Sequence, residues 1–351
     1  MPSLLRPIVL LAILVSIGLT LGLKLGDPPA VEMRTFAGAF VETLDKADKK
    51  LVLLPYDAAN RVDWHFIPKD SRKGLPLKEM NDAQSSAALR LLRSALSDVG
   101  YRKADRIMLL EEVLQGMEGE GRRWARDSQL YYVTLFGYEA AATDASQPWG
   151  LSFEGHHLSL NFVCKGDQVV DSTPQFMGSN PATIMNETGV TLDKGTAVLA
   201  REENLAFELL GSLTESQRKK AILSDKAPKD IRFAGDAQAS VGEPEGLPFS
   251  ALSPDQKATL KRLVDVYVEV PADTVARRRR ELLEKDGWDP IHFAWAGADK
   301  PGVGHYYRIR GKGFLIEYAN TQADPAGNPA NHAHAFFRDL TGDFDLPAHG
   351  G

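Results

Sequence analysis

The sequence predicts an α+β fold in which two related halves, each built of helices followed by strands, pack about a pseudo-two-fold axis as one globular unit. Three observations carry that expectation. The chain repeats an ordered series of segments once, the mark of an internal duplication. Within each copy the helical periodicities come before the strand-like runs instead of alternating with them, which separates α+β from a doubly wound parallel sheet. At 351 residues, with 43% apolar and 25% charged side chains, the chain can bury a substantial core.

Residues 1–26 stand apart. Arg6 precedes an apolar run from Ile8 to Leu23 that Asp27-Pro28-Pro29 ends. A basic start before a short apolar stretch is the layout of a signal peptide or an N-terminal anchor. The run is shorter than the roughly 20 residues of a spanning helix. The expectation is export to the periplasm or the cell exterior, with membrane contact only through residues 1–26 if they stay attached.

Residues 27–195 form the expected first half. A helical segment from Phe36 to Leu53 leads to the turn Gly74-Leu75-Pro76, an N-cap at Asn81 with Gln84 in the capping-box position, and an amphipathic helix through Leu92. Residues 102–126 are charged and helical in pattern. Strands follow at Leu130–Gly137 and from Gly155-His156-His157 onward, and Gly178-Ser179-Asn180-Pro181 reads as a closing turn.

Residues 196–322 repeat the series. A bridging helix, Thr196–Leu213, overlaps the counterpart of the first helical segment, Leu205–Ile222. Gly246-Leu247-Pro248 is followed by Ser253 with Gln256, then by helical segments through Val264 and over 271–286. Strands are expected at Ile291–Gly297 and from Gly304-His305. The latter turns at Arg310-Gly311-Lys312-Gly313 into Phe314–Tyr318, a hairpin whose register pairs Ile309 with Phe314 and His305 with Tyr318. Residues 323–351, rich in His, Asn, Asp, Pro and Gly, read as an ordered loop-like tail.

Composition narrows the function. A formal charge of −6 argues against nucleic acid as a partner, because phosphate binding needs clustered cations. The basic run Arg277–Arg280 is followed by Glu281, Glu284 and Asp286 and reads as a solvated helix face. The single cysteine, Cys164, excludes an internal disulfide; its apolar run, Leu158–Cys164, marks it as a small core side chain. Trp149 and Trp295 read as core or cavity walls. There is no phosphate loop, no G-x-G-x-x-G after a strand, no H-E-x-x-H, no G-x-S-x-G and no C-x-x-C. No nucleotide cofactor is expected.

Histidine is the remaining chemical signal. Five of eight histidines fall in two settings. His156, His157 and His305 each follow a Gly-led step at what reads as the opening of a strand, in equivalent places of the two halves. His332 and His334, two residues apart, would project both imidazoles from one face of an extended strand. A metal site between the halves would be formed by His157, His305, His332 and His334, holding one zinc or other transition-metal ion. Adjacent His156 and His157 point to opposite faces, so one of them at most serves a given site. Glu317 is the candidate base or ligand-orienting group, and Arg308, Asn320 and Gln322 would hold a small or oligomeric organic substrate. The expected acceptors behind the imidazoles are Asp339 and Glu317. The bland alternatives are a cross-strand Arg308–Glu317 pair and histidines that bond loop backbone.

These segments carry a resemblance. Pro148-Trp149-Gly150, Gly155–Asn161, Gly178–Ala182, His305–Ile309, Glu317–Gln322, Asn331–His334 and Arg338-Asp339 resemble, in that order, the family labelled domain of unknown function 3500. The resemblance covers about Arg34 to His349 and implies an exported protein with no assigned activity. The chain departs from the family pattern at Ala319, where the pattern has an acid, and in the longer stretch Ala323–Ala330. The reading is a metal-dependent enzyme of the cell envelope, a hydrolase; the alternatives are a non-catalytic envelope ligand-binding protein and a structural partner protein.

Overall fold

The computed structural model describes residues 28–120 and 123–347. The expected signal peptide or anchor, residues 1–26, lies outside the described residues. The first part of the chain forms α1 (Pro29–Thr43), α2 (Lys46–Val52), β1 (Leu53–Leu54), β2 (Leu75–Pro76), α3 (Asp82–Ala95), α4 (Asp98–Glu118), β3 (Tyr131–Phe136), α5 (Tyr138–Thr143), β4 (Trp149–Gly155), β5 (Leu158–Lys165), β6 (Gln168–Asp171) and β7 (Gln175–Ser179). The second forms α6 (Ala200–Ser212), α7 (Glu215–Ala221), β8 (Ile222–Ser224), β9 (Leu247–Pro248), α8 (Pro254–Val268), α9 (Asp273–Asp286), β10 (His292–Gly297), β11 (His305–Arg310), β12 (Phe314–Gln322) and β13 (His332–Asp339).

Local chemistry accounts for the helix starts. Asn81, Thr214 and Ser253 each accept from the backbone N–H three residues on, while Gln84, Gln217 and Gln256 reach back to the cap backbone. These capping boxes satisfy N–H groups that a helix end leaves unpaired. Gln84 and Gln256 also donate to the carbonyls of Thr43 and Ser212, tying α3 to the end of α1 and α8 to the end of α6. The two expected glycine turns take positive φ, 93° at Gly74 and 102° at Gly246. A Cβ at either would collide with the carbonyl of Val133 or Phe293 on the neighbouring strand, so only glycine lets β2 and β9 approach.

The protein is mixed α/β, with nine α-helices among the described residues and one large mixed sheet. The sheet runs β1-β3-β4-β5-β7-β13-β12-β11-β10-β8, with β2, β6 and β9 paired alongside β3, β5 and β10. The outer pairs β1–β3 and β8–β10 are parallel and the path between them is antiparallel. One face, carrying Trp149, Trp295, Tyr307, Tyr318 and Cys164, packs on the helices as the main core. The other face carries Phe176, Ala296, Tyr306, Ala319 and Phe336 and is covered by Trp64, Phe66 and Ile231 from the segments leading to β2 and β9.

Four sequence expectations change. The tail is no loop: His332–Asp339 is the inner strand β13, between β7 and β12. Its Asn, Asp and His content concealed a buried strand in which the polar His334 and Arg338 alternate with Phe336 on one face. Gly178 and Ser179 lie within β7, so the closing turn starts two residues later, at Asn180. The β11–β12 register is shifted by two residues, pairing Ile309 with Ile316 and His305 with Asn320. An even shift preserves facing. Finally, His156 and His157 do not open a strand as His305 does. They form the turn joining β4 to β5, with His157 at φ 62°.

Candidate metal centre

The β4–β5 turn and strand β13 bring three imidazoles together. His157 Nε2 lies 2.8 Å from His332 Nε2, which lies 3.1 Å from His334 Nε2. Two ligand nitrogens on a tetrahedral zinc, each about 2.0–2.1 Å from the ion, stand about 3.3 Å apart, close to these separations. The strand alternation aims His332 and His334 to one face, and the left-handed backbone at His157 turns its ring toward them. Gly178 of β7 makes the space. A Cβ there would stand 2.8 Å from His157 Cδ2 and 3.1 Å from His334 Cδ2.

Protonation favours ligation. His334 Nδ1 donates to Asp230 Oδ1 at 2.6 Å, which fixes its proton on Nδ1 and leaves a lone pair on Nε2. Gln322 Nε2 donates to the other Asp230 oxygen at 3.2 Å. Burial, reinforced by the neighbouring rings, holds the pKa of both His157 and His332 well below the ordinary imidazole value. Neutral rings offer lone pairs. One proton on His332 Nε2 cannot serve the contacts to both His157 and His334 at full strength, whereas one cation satisfies all three nitrogens.

A second group adjoins the first. The His156 ring stacks on His157 with centroids 3.8 Å apart. Its Nδ1 lies 2.5 Å from Glu111 Oε1 and 3.1 Å from Arg126 Nη1, and Arg126 bonds Glu118 through two nitrogens. Glu111, His156 and His157 also lie close enough to share an ion, but the guanidinium beside His156 opposes a cation there. Glu111 and His156 also line a cavity of about 130 Å³, with Lys69, Arg72, Trp124 and Tyr132.

The other expected site residues lie elsewhere. His305, fully buried, is on the helix-packed face. It stacks between Trp295 and Tyr318, with Nδ1 on the carbonyl of Val303 and Nε2 3.1 Å from Glu203 Oε1. The structure therefore does not bring His305 to the other three, because pairing with Asn320 and Ala333 sets it on the face opposite His334. Glu317 is fully buried and accepts from Tyr306, Arg232 Nε and the Arg232 backbone N–H. Arg308 sits opposite it in register yet donates to Glu245 at 2.7 Å. Asn320 bonds Glu203 and accepts from His332 N–H, so it holds β13 in place. Asp339 caps the turn at Thr341 and does not back a histidine. The acceptors behind the clustered rings are Asp230 for His334 and Glu111 for His156. Neither stands out in sequence, because one lies in a coil far upstream and the other on the helix α4 among other acids. Cys164 is buried, and burial pushes its thiol pKa up, as suits a core side chain.

The match that decides the family spans residues 27–346, nearly the whole chain. The chain belongs to the DUF3500 family. That family is described as a protein of unknown function. No curated protein and no solved structure matches this DUF3500 chain.

Proposed function

We propose that this DUF3500 protein is an exported, metal-dependent enzyme of the zinc type, a hydrolase acting on a small or oligomeric organic substrate. The observation that carries the reading is the convergence of three imidazole Nε2 atoms, two of them on rings held neutral by burial, with Asp230 behind the third. Three protein nitrogens, which leave the fourth position of a tetrahedral ion to a non-protein ligand, make the donor set of catalytic rather than structural zinc. A bound ion there would lower the pKa of its water toward neutrality and supply the nucleophile. The protein's own residues set the geometry: Asp230 holds the His334 proton on Nδ1, and Gln322 holds Asp230. Glu317, locked between Tyr306 and Arg232, has no part in this version of the site, and His305 is outside it. Export rests on the basic start and apolar run of residues 1–26.

We also propose that the two halves arose by duplication about a pseudo-two-fold axis at the β7–β13 pair. Reading outward from that pair, the order is β5, β4, β3, β1 on one side and β12, β11, β10, β8 on the other. The paired glycine turns and capping boxes support the same relation. The metal ligands break it, since His157 comes from a turn and His332 and His334 from a strand.

The functional reading is tested on the full-length protein with ester, amide and phosphoester substrates, before and after chelation and zinc return. Hydrolysis lost on chelation, restored by zinc and absent from His334→Ala supports it. Hydrolysis indifferent to chelation and to His334→Ala overturns it.

A further inference from the structure

One buried polar atom near the three imidazoles is left over. Asn180 is 6% exposed, and its Oδ1 is buried with no hydrogen-bond partner in the protein. A buried carboxamide oxygen in that state is costly, and native structures rarely keep one without a use.

Its place in the sheet points to that use. In β7, Gly178 faces the histidines, as the His157 and His334 rings that would meet its Cβ show. Asn180 follows Ser179, the last residue of β7, and opens the bend that leads to Pro181. The β7–β13 pairing runs to Ser179 opposite Ala333 and resumes where Ala182 N–H donates to the Asn331 carbonyl at 2.7 Å. Between those points Asn180 and Pro181 oppose the single residue His332. Asn180 thus lies opposite a candidate ligand across the β7–β13 pair and carries an unused oxygen donor.

We infer that Asn180 Oδ1 is the fourth protein donor of this centre, giving three imidazole nitrogens and one amide oxygen; the inference rests on the metal reading above. Such a mixed set suits borderline first-row dications and leaves further positions for water or substrate in five- or six-coordinate geometry. The amide oxygen brings no charge, so the site's net charge stays that of the ion together with Asp230.

The test is titration of the full-length protein with cobalt(II) alone, read by visible absorption, which reports the number and kind of donors. Asn180→Asp puts a charged oxygen in the same place and should tighten cobalt binding by about tenfold or more. Asn180→Leu removes the donor and should weaken it about tenfold. Both should change the cobalt spectrum. The inference fails alone if wild type binds one cobalt ion that His334→Ala abolishes, while both Asn180 variants keep wild-type affinity and spectrum. If the leucine variant does not fold, the near-isosteric aspartate variant decides by itself. No cobalt uptake by the wild type overturns this inference and the metal reading together.

Discussion

Asp230 decides which nitrogen of His334 meets the other two rings. Its carboxylate accepts from Nδ1 at 2.6 Å, so Asp230→Asn would weaken that orientation and the basicity of Nε2 without emptying the space. Zinc affinity should fall about 10–100-fold in a competition titration with a chelating dye, while the fold, followed by circular dichroism, persists. Unchanged affinity would contradict the role. A second residue-scale prediction lies away from the site. Burial, with Asp343 and Asp339 nearby, pushes the Asp171 pKa up to about 7. An unfolded carboxylate titrates near 3.9, so between about pH 4 and 7 the folded state holds the proton that the unfolded state has lost. Stability therefore falls as pH rises through that window. Relative to Asp171→Asn, which has no such proton, wild type should lose on the order of 3 kcal/mol from pH 4.5 to pH 8. Denaturant midpoints at the two pH values check it, and a difference that stays flat with pH would refute the assignment.

At the scale of elements, the site depends on a strand that lacks a side chain where two rings need room. Gly178→Ala would set a methyl 2.8 Å from His157 and 3.1 Å from His334. Zinc affinity should drop at least about tenfold, with a stability loss of about 1–3 kcal/mol from overpacking; thermal melts and zinc titration read the two effects. The capping boxes show what was legible at this scale. Asn81 with Gln84 and Ser253 with Gln256 announced α3 and α8, because that chemistry is local and repeats at fixed spacing. Asn81→Ala should cost about 1 kcal/mol in a denaturant melt. The β4–β5 turn was not legible. A Gly-His-His-Leu run suits a strand start as well as a two-residue turn, and only the tertiary pairing of β4 with β5 selects the latter.

For the whole molecule, sequence periodicity revealed the order of helices and strands but not the path of the sheet. β13 was hidden because two of its six buried positions are His334 and Arg338, which read as surface residues until Asp230 and Asp343 are seen beside them. Three of the four expected metal ligands meet because two of them share that strand, and strand alternation alone put them on one face. His305 was misplaced for the same kind of reason. Its equivalence to His156 rested on a shared Gly-His pair, while the sheet sets one in a turn and the other in a strand on the helix side. The central claim is that the two halves of the chain meet at one metal ion held by His157, His332 and His334 and not by His305. Metal content of the full-length protein after zinc loading and gel filtration, by plasma mass spectrometry, tests this most directly. The account predicts one zinc per chain in wild type and in His305→Ala, and near none in His157→Ala, His332→Ala or His334→Ala, each still folded by circular dichroism. Zinc retained in folded variants of the three, or absent from wild type, would contradict it.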